Sequence, residues 1–127
     1  MNSFTAEAIQ LVKSHFTTQL GGISPAPLPA TAAFPYITVN EITVREVESL
    51  QGLSGVQQTI AQINVWAKDF EAACVMRDSI KAYMCGFRGT AGSRYIQGVN
   101  PVVDTCLHDG VRSLHQAITR VMITWGN

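Results

Sequence analysis

Two segments of the chain repeat their apolar residues every three or four positions, which predicts two helices that each bury one face. The first spans residues 3–20 and is followed by two glycines, at which a helix can end. The second begins after the N-cap residue Asp69 and ends near Met84. Its predicted apolar stripe consists of Phe70, Ala73, Met76, Ile80 and Tyr83.

Alternating segments rich in β-branched residues predict strands between these helices. The first strand covers residues 36–44, and its alternation slips, which predicts a bulge near Asn40 and Glu41. The next strand covers residues 58–67, where the odd positions suit a core and the even positions form a second face. That second face consists of Gln58, Ile60, Gln62, Asn64 and Trp66. It is neutral and partly apolar, which is unusual for a surface that stays in water.

The C-terminal part of the chain predicts a hairpin. A strand over residues 95–99 is interrupted at Pro101 and resumes over residues 102–107. The segment 108–110 contains Asp-Gly, which favours the positive φ angles of a tight turn. The final strand covers residues 113–125 and alternates apolar positions with a mixed second face.

The remaining segments are predicted to be connections. Residues 21–35 contain four prolines, so we expect an extended strip with little regular structure. Residues 45–55 lose periodicity and carry two glycines, which indicates a long hairpin tip, and residues 86–94 form a glycine-rich loop with two arginines. The element order α-β-β-α-β-β predicts one α+β domain over residues 1–127. We expect a mainly antiparallel sheet of about four strands with two helices on one face.

The charge of the chain narrows the classes of function. Nine Lys and Arg residues balance nine Asp and Glu residues, and charged residues make up 14% of the sequence. A protein that binds DNA or an anionic membrane usually carries a basic excess, so both classes are disfavoured. A weakly charged surface also lacks the repulsion that keeps monomers apart, which indicates burial against other copies. No segment has the length of a membrane span or the pattern of a leader peptide, so we expect synthesis in the cytosol.

The three cysteines do not form a disulfide framework. Cys74 and Cys85 are separated by about three helical turns, or ~16 Å of rise, which is too far for a disulfide. With Cys106 the count is odd, so reduced thiols are expected. No catalytic residues, metal or cofactor are predicted, because no nucleophile motif is present and the glycine-rich loop matches neither dinucleotide nor P-loop patterns.

One row of residues nevertheless has the chemistry of a metal site. Asp104, Cys106 and His108 alternate along a predicted strand, so their side chains could point the same way and offer oxygen, sulfur and nitrogen ligands. The other interpretation is a strand with a buried thiol between two solvated polar residues. No second ligand pair follows at metal spacing, which favours the second interpretation.

Three parts of the sequence together resemble a known family. They are a proline-bearing loop leading into Pro35-Tyr36-Ile37, a strand ending at Ile63-Asn64-Val65-Trp66, and Asp69-Phe70-Glu71-Ala72 at the start of a helix. This arrangement, with the closing hairpin, is similar to the tail-completion or tail-terminator family of long-tailed bacteriophages. One departure lies in the final strand, where Gln116, Ala117 and Thr119 replace expected charged residues.

The resemblance implies a structural virion protein without enzymatic activity, assembled in the host cytoplasm and located in the tail or neck. Such proteins form a ring, usually a homohexamer, that caps the tail tube, ends its polymerisation and joins the head connector or stopper. DNA would pass through the lumen without specific binding. We expect the subunit interface to use Gln58, Ile60, Gln62, Asn64, Trp66, Ile118 and Met122. We expect contacts with the tube or connector from Glu46, Glu48, Leu50, Leu53, Arg88 and Arg94.

Two alternatives stay open. The chain could be another neck protein such as a stopper, or a soluble α+β homo-oligomer with a small-molecule or metal site. A pocket holding Asp104, Cys106 and His108 around a metal would favour the second. The position of the protein within the particle would decide whether it is such a neck protein.

Overall fold

The computed structural model describes residues 9, 12, 22–25, 28, 33–49, 52–91, 94–110 and 113–126. Its strands are β1 (Gly22–Pro25), β2 (Tyr36–Ser49), β3 (Gly52–Ala67), β4 (Gly89–Ala91), β5 (Arg94–Asp109) and β6 (Leu114–Gly126). The helix α1 (Phe70–Cys85) connects β3 to β4. The described part of the chain is therefore mostly β-structure.

The six strands form one curled sheet in the order β1-β2-β3-β6-β5-β4. β1 runs parallel to β2, and every other neighbouring pair is antiparallel. The predicted sheet of about four antiparallel strands with two helices is therefore wrong. Of the predicted helix over residues 3–20, only Ile9 and Val12 are described, and both are helical. The rest of that helix lies outside the described residues.

The two additional strands come from segments that the sequence pattern assigned to connections. β1 forms within the proline-bearing strip, and its Pro25 lies opposite Val39 at the end of an edge strand, where proline is tolerated. Gly22 is required there, because a Cβ at this position would collide with the ring of Tyr36. β4 forms within the glycine-rich loop. Main-chain pairing at a sheet edge needs no alternation of apolar side chains, so the pattern of apolar residues did not predict these two strands.

The strands also run further than their side-chain pattern indicated. β2 continues to Ser49 and β3 starts at Gly52, so residues 45–49 and 52–55 belong to these two paired strands. A register shift lies between Glu41 and Thr43, next to the predicted bulge. β5 is continuous where an interruption was predicted, because register shifts accommodate Pro101 without ending the pairing with β6.

α1 packs across β3, β6 and β5 and covers one face of the sheet, which we call the core face. The side chain of Asp69 caps the helix by accepting a hydrogen bond from the Ala72 amide at 2.9 Å. Ala73, Ile80 and Met84 are the buried residues of the helix. They pack in a cluster that also contains Val12, Ile37, Val39, Ala61, Ile63, Val65, Ile96, Val99, Val121, Ile123 and Trp125.

Candidate functional site

The sheet has a second face, directed away from α1, which we call the open face. Residues directly opposite each other on antiparallel strands share a face, so the register assigns its members. β3 contributes the even positions 58–66, which lie opposite Thr124, Met122, Arg120, Ile118 and Gln116 of β6. β2 adds Thr38 and Asn40, and β5 adds Val103, Thr105 and Leu107.

Asn64 lies at the centre of a hydrogen-bond network on the open face. Its Nδ2 donates to the backbone oxygen and Oγ1 of Thr38, each at 3.2 Å, and to Oδ1 of Asn40 at 3.1 Å. Its Oδ1 accepts from Nε2 of Gln62 at 2.7 Å and from Nε2 of Gln116 at 3.0 Å. The amide has two N–H hydrogens, which the three acceptors share, and two acceptor lone pairs, so its hydrogen-bonding capacity is filled. This explains how an amide that is only 3% exposed is tolerated.

The network extends in both directions from this amide. Nε of Arg120 donates to Oε1 of Gln62 at 2.8 Å. The indole Nε1 of Trp66 donates to Oγ1 of Thr38 at 3.0 Å. Side chains of β2, β3 and β6 are thus joined in one chain of hydrogen bonds. Because each member restrains the next, the network fixes the shape of the open face.

The described side chains of the open face carry little formal charge. Among its described side chains, Arg120 carries the one ionised group, and its neighbours are amides, hydroxyls and apolar groups. The apolar members Ile60 and Met122 lie opposite each other and are half-buried in the single chain. Ile118 is buried, with 5% of its surface exposed. The described side chains of this face include no His, Cys, Asp, Glu or Lys, and their composition suits contact with protein.

All seven residues predicted for the subunit interface lie on the open face. Asn64 and Ile118 are buried within the chain, and the other five are half-buried: Gln58, Ile60, Gln62, Trp66 and Met122. The structure therefore brings this predicted group together.

The residues predicted to reach a tube or connector are less well described. Arg88 is exposed between α1 and β4, and its Nε donates to the backbone oxygen of Gln97 at 3.1 Å. Four of the others lie in strands, and their side chains are outside the described residues: Glu46, Glu48, Leu53 and Arg94. Leu50 lies outside the described residues altogether.

Two apolar members of the open face were not predicted. Val103 is 47% exposed and Leu107 is 56% exposed, and they extend the face across β5. The sequence does contain a signal for them, because they alternate with Asp104, Cys106 and His108. If those three polar residues share one side of the strand, Val103 and Leu107 occupy the other.

The side chains of Asp104, Cys106 and His108 lie on the same side of β5, as predicted. Each of the three, however, contacts a different partner. Oδ2 of Asp104 accepts a hydrogen bond from Nζ of Lys81 at 2.6 Å. The Sγ atom of Cys106 lies 3.8 Å from that of Cys74. The ring of His108 lies against that of His115, with centroids 4.6 Å apart. The three predicted ligands therefore do not converge, and no cluster of three or more metal-ligating residues occurs in the part of the chain that the structure describes.

The contact between α1 and β5 includes the carboxyl group of Asp104, whose pKa is shifted. The hydrogen bond from Lys81 lowers the pKa of this carboxyl below its ordinary value. Partial burial opposes the effect, and a 2.8 Å hydrogen bond from Oγ1 of Thr119 adds to it. The same ion pair raises the pKa of Lys81. Asp104 is thus a charged anchor for the helix, a role that differs from that of a metal ligand.

Comparison with protein families decides what kind of protein carries this surface. The family model of tail completion protein gp17 matches residues 12–125, which is most of the chain. The chain belongs to this family. The resemblance seen in the sequence is thereby confirmed. A member of this family is a structural protein of the phage tail, and it is located in the tail or neck of the virion.

Comparison with solved structures shows a protein with a similar fold. The chain is similar to one in the virion of a native gene transfer agent particle, with a TM-score of 0.64 at 12% sequence identity. The similarity covers 92% of this chain and 85% of that chain. At this identity the likeness concerns the fold alone. No curated protein matches the sequence. Among the described residues, no helix is long and apolar enough to cross a membrane.

Proposed function

We propose that this tail completion protein forms a homohexameric ring that caps the tail tube, ends its polymerisation and presents the surface to which the head connector or stopper binds. The observation that carries the proposal is the open face of the sheet. A family of structural tail proteins must contact copies of itself or other virion proteins, and this face has the composition of such a contact.

The composition of the open face supports burial against a second copy. Protein interfaces are enriched in aromatic residues, Met and Arg, and their centres are depleted of Lys, Asp and Glu. The open face contains Trp66, Met122 and Arg120, and its described side chains include no lysine or carboxylate. Val103 and Leu107 add exposed apolar area at one side. A surface that stayed in water would more usually carry several charges.

The hydrogen-bond network supports the same proposal through its effect on entropy. Ordering flexible side chains at an interface costs free energy on association. Here the amides of Gln62, Asn64 and Gln116 are already held by one another before any partner binds. A second copy would meet a surface of fixed shape, so less side-chain freedom would be lost when the ring closes.

In a head-to-tail ring, each subunit contacts one neighbour through one surface and the other neighbour through a different surface. The ring closes when the rotation from one subunit to the next completes a full circle. The open face supplies one of the two surfaces. Capping then follows if one end of the ring complements the last ring of the tube and the other end does not repeat the tube surface. We assign contacts along the ring axis to Glu46, Glu48, Leu50, Leu53, Arg88 and Arg94.

The charge of the chain is compatible with the passage of DNA through such a ring. Strong binding of DNA needs several phosphate contacts from Lys and Arg. With nine basic and nine acidic residues, the subunit has no excess of either sign. A lumen of this composition would let DNA pass without holding it.

Electron microscopy of particles made without this protein tests the function. Loss of a tail terminator should produce overlong tails that carry no heads, because nothing ends polymerisation of the tube. Loss of a neck stopper should instead produce tails of normal length that fail to join heads. Normal virions would overturn both assignments. Restoring normal tails with the wild-type protein supplied in trans is the control.

A further inference from the structure

Two thiols on different elements lie next to each other at the surface. Cys74 is on α1 and Cys106 is on β5, and they are 32 positions apart in sequence, yet their Sγ atoms are separated by 3.8 Å. Cys106 is exposed and Cys74 is half-buried, so small reagents can reach the pair. A disulfide would need the sulfurs to approach by roughly 2 Å more. The third thiol, Cys85, lies at the far end of α1.

A guanidinium group stands beside one of these sulfurs. Nη1 of Arg77 donates to Sγ of Cys106 at 3.2 Å and approaches the backbone oxygen of Thr105 at 3.4 Å. Asp78 holds the other side of the guanidinium through Nε at 3.0 Å. Burial, with a contribution from Cys106, raises the pKa of the Cys74 thiol. Cys106 is exposed whereas Cys74 is half-buried, and a cationic donor lies at the sulfur of Cys106, so Cys106 is the better placed of the two to meet an oxidant first.

We propose that Cys74 and Cys106 form a disulfide that joins α1 to β5 when the protein meets a low-molecular-weight disulfide oxidant. The Cys106 thiolate attacks one sulfur of the oxidant, the oxidant's S–S bond breaks, and one thiol is released after protonation. The Cys74 thiolate then attacks Sγ of Cys106 and releases the second thiol. The two protein thiols are oxidised by two electrons, and the oxidant is reduced to two thiols.

The location of the protein gives this reaction a setting. Cytosolic thiols are kept reduced, whereas a virion outside the cell meets an oxidising medium. The disulfide would therefore form after release of the particle. It would hold the part of β5 beyond residue 98, which β4 does not reach, because β4 pairs only with residues 94–96. Val103 and Leu107 lie on the opposite side of that same part of β5, so the bond would also fix their section of the open face.

Oxidation of the purified chain with glutathione disulfide tests the proposal without requiring a ring. The intact mass should fall by two hydrogen atoms. Trypsin cleaves after Lys or Arg, which places the three cysteines on separate peptides, residues 69–77, 82–88 and 95–112. We expect the linked peptide to join 69–77 to 95–112 and to separate on reduction. Stable glutathione adducts without this link, or links distributed among all three peptides, would overturn the proposal.

Matched serine variants make the test specific. Cys74→Ser and Cys106→Ser should each abolish the internal link, and Cys85→Ser should leave it unchanged. Arg77→Gln should slow formation of the link several-fold, because the cationic donor at Cys106 is lost. An unchanged rate would refute the role of Arg77. Far-ultraviolet circular dichroism of each variant checks that the fold is intact.

Discussion

The two faces of β3 are stabilised in different ways, although the residues of both faces alternate along one strand. On the core face, Ile63 and Val65 are fully buried under α1. On the open face, Asn64 between them is nearly as buried but is surrounded by hydrogen-bond partners. The first face excludes water through apolar packing. The second satisfies its polar groups internally, and so leaves a surface of fixed shape with few charges for another protein.

This difference sets the order of the expected energetic effects. Complete burial of an aliphatic side chain contributes about 1.5–3 kcal/mol, and its deletion adds the cost of a cavity. A hydrogen bond within the network contributes about 1 kcal/mol net, because water would otherwise take the place of its partner. An exposed ion pair contributes less than either. Substitutions on the core face, in the network and at the ion pair between α1 and β5 should rank in that order.

The largest effect on the stability of the single chain is expected on the core face. Ile63→Ala removes a fully buried side chain and should lower the free energy of unfolding by about 3 kcal/mol. Ile60→Ala, a matched change three positions away on the open face, should cost about 1 kcal/mol, because its side chain is only half-buried. Urea denaturation at a protein concentration low enough for the chains to be monomeric measures both. Equal losses would show that the two faces do not differ as described.

An intermediate effect is expected at the centre of the network. Asn64→Ala removes the amide that joins Gln62, Gln116 and Thr38, and should cost about 2 kcal/mol because their polar groups lose partners. Asn100→Ala is the control, since Asn100 is exposed on β5 and such changes usually stay within about 0.5 kcal/mol. Denaturation curves of the two variants compare them. A neutral Asn64→Ala would mean that the network contributes nothing to the sheet.

The smallest effect is expected at the ion pair of Asp104 and Lys81. The pKa of Asp104 is lowered in the folded state, so its contribution to stability is present above the ordinary value of 3.8 and is lost as the pH falls through the lowered pKa. A double-mutant cycle with Lys81→Met and Asp104→Asn should therefore show coupling at about pH 6 that weakens as the pH falls below 3.8. Coupling that does not weaken in acid would exclude the charge as its cause.

The strands that bury one face were predictable, because burial imposes an alternation that can be read from residues 58–67 and 113–125. The bulge near Glu41 was predictable for the same reason, since it interrupts that alternation. The members of the open face on β3 and β6 followed from these strands, whereas Val103 and Leu107 on β5 were not predicted. The network on it did not, because its hydrogen bonds join Thr38, Asn64 and Gln116, which only the strand order brings together.

The parts that the sequence did not reveal are held by main-chain pairing or by contacts between distant elements. β1 and β4 are short edge strands without an apolar pattern. The contact of Cys74 with Cys106 depends on the packing of α1 against β5. Neither kind of contact is encoded by the local period of the chain, so both required the tertiary structure.

Sedimentation of three purified proteins tests most directly whether the open face is the contact between subunits. The wild type should sediment as a ring of about six subunits. Ile60→Lys, which places a charge on the open face, should sediment as a smaller species with unchanged circular dichroism. Val75→Lys, a matched change on the exposed side of α1, should retain the ring. If Ile60→Lys keeps the mass of the ring and Val75→Lys loses it, the subunit contact lies on the helix side and the proposed role of the open face is wrong.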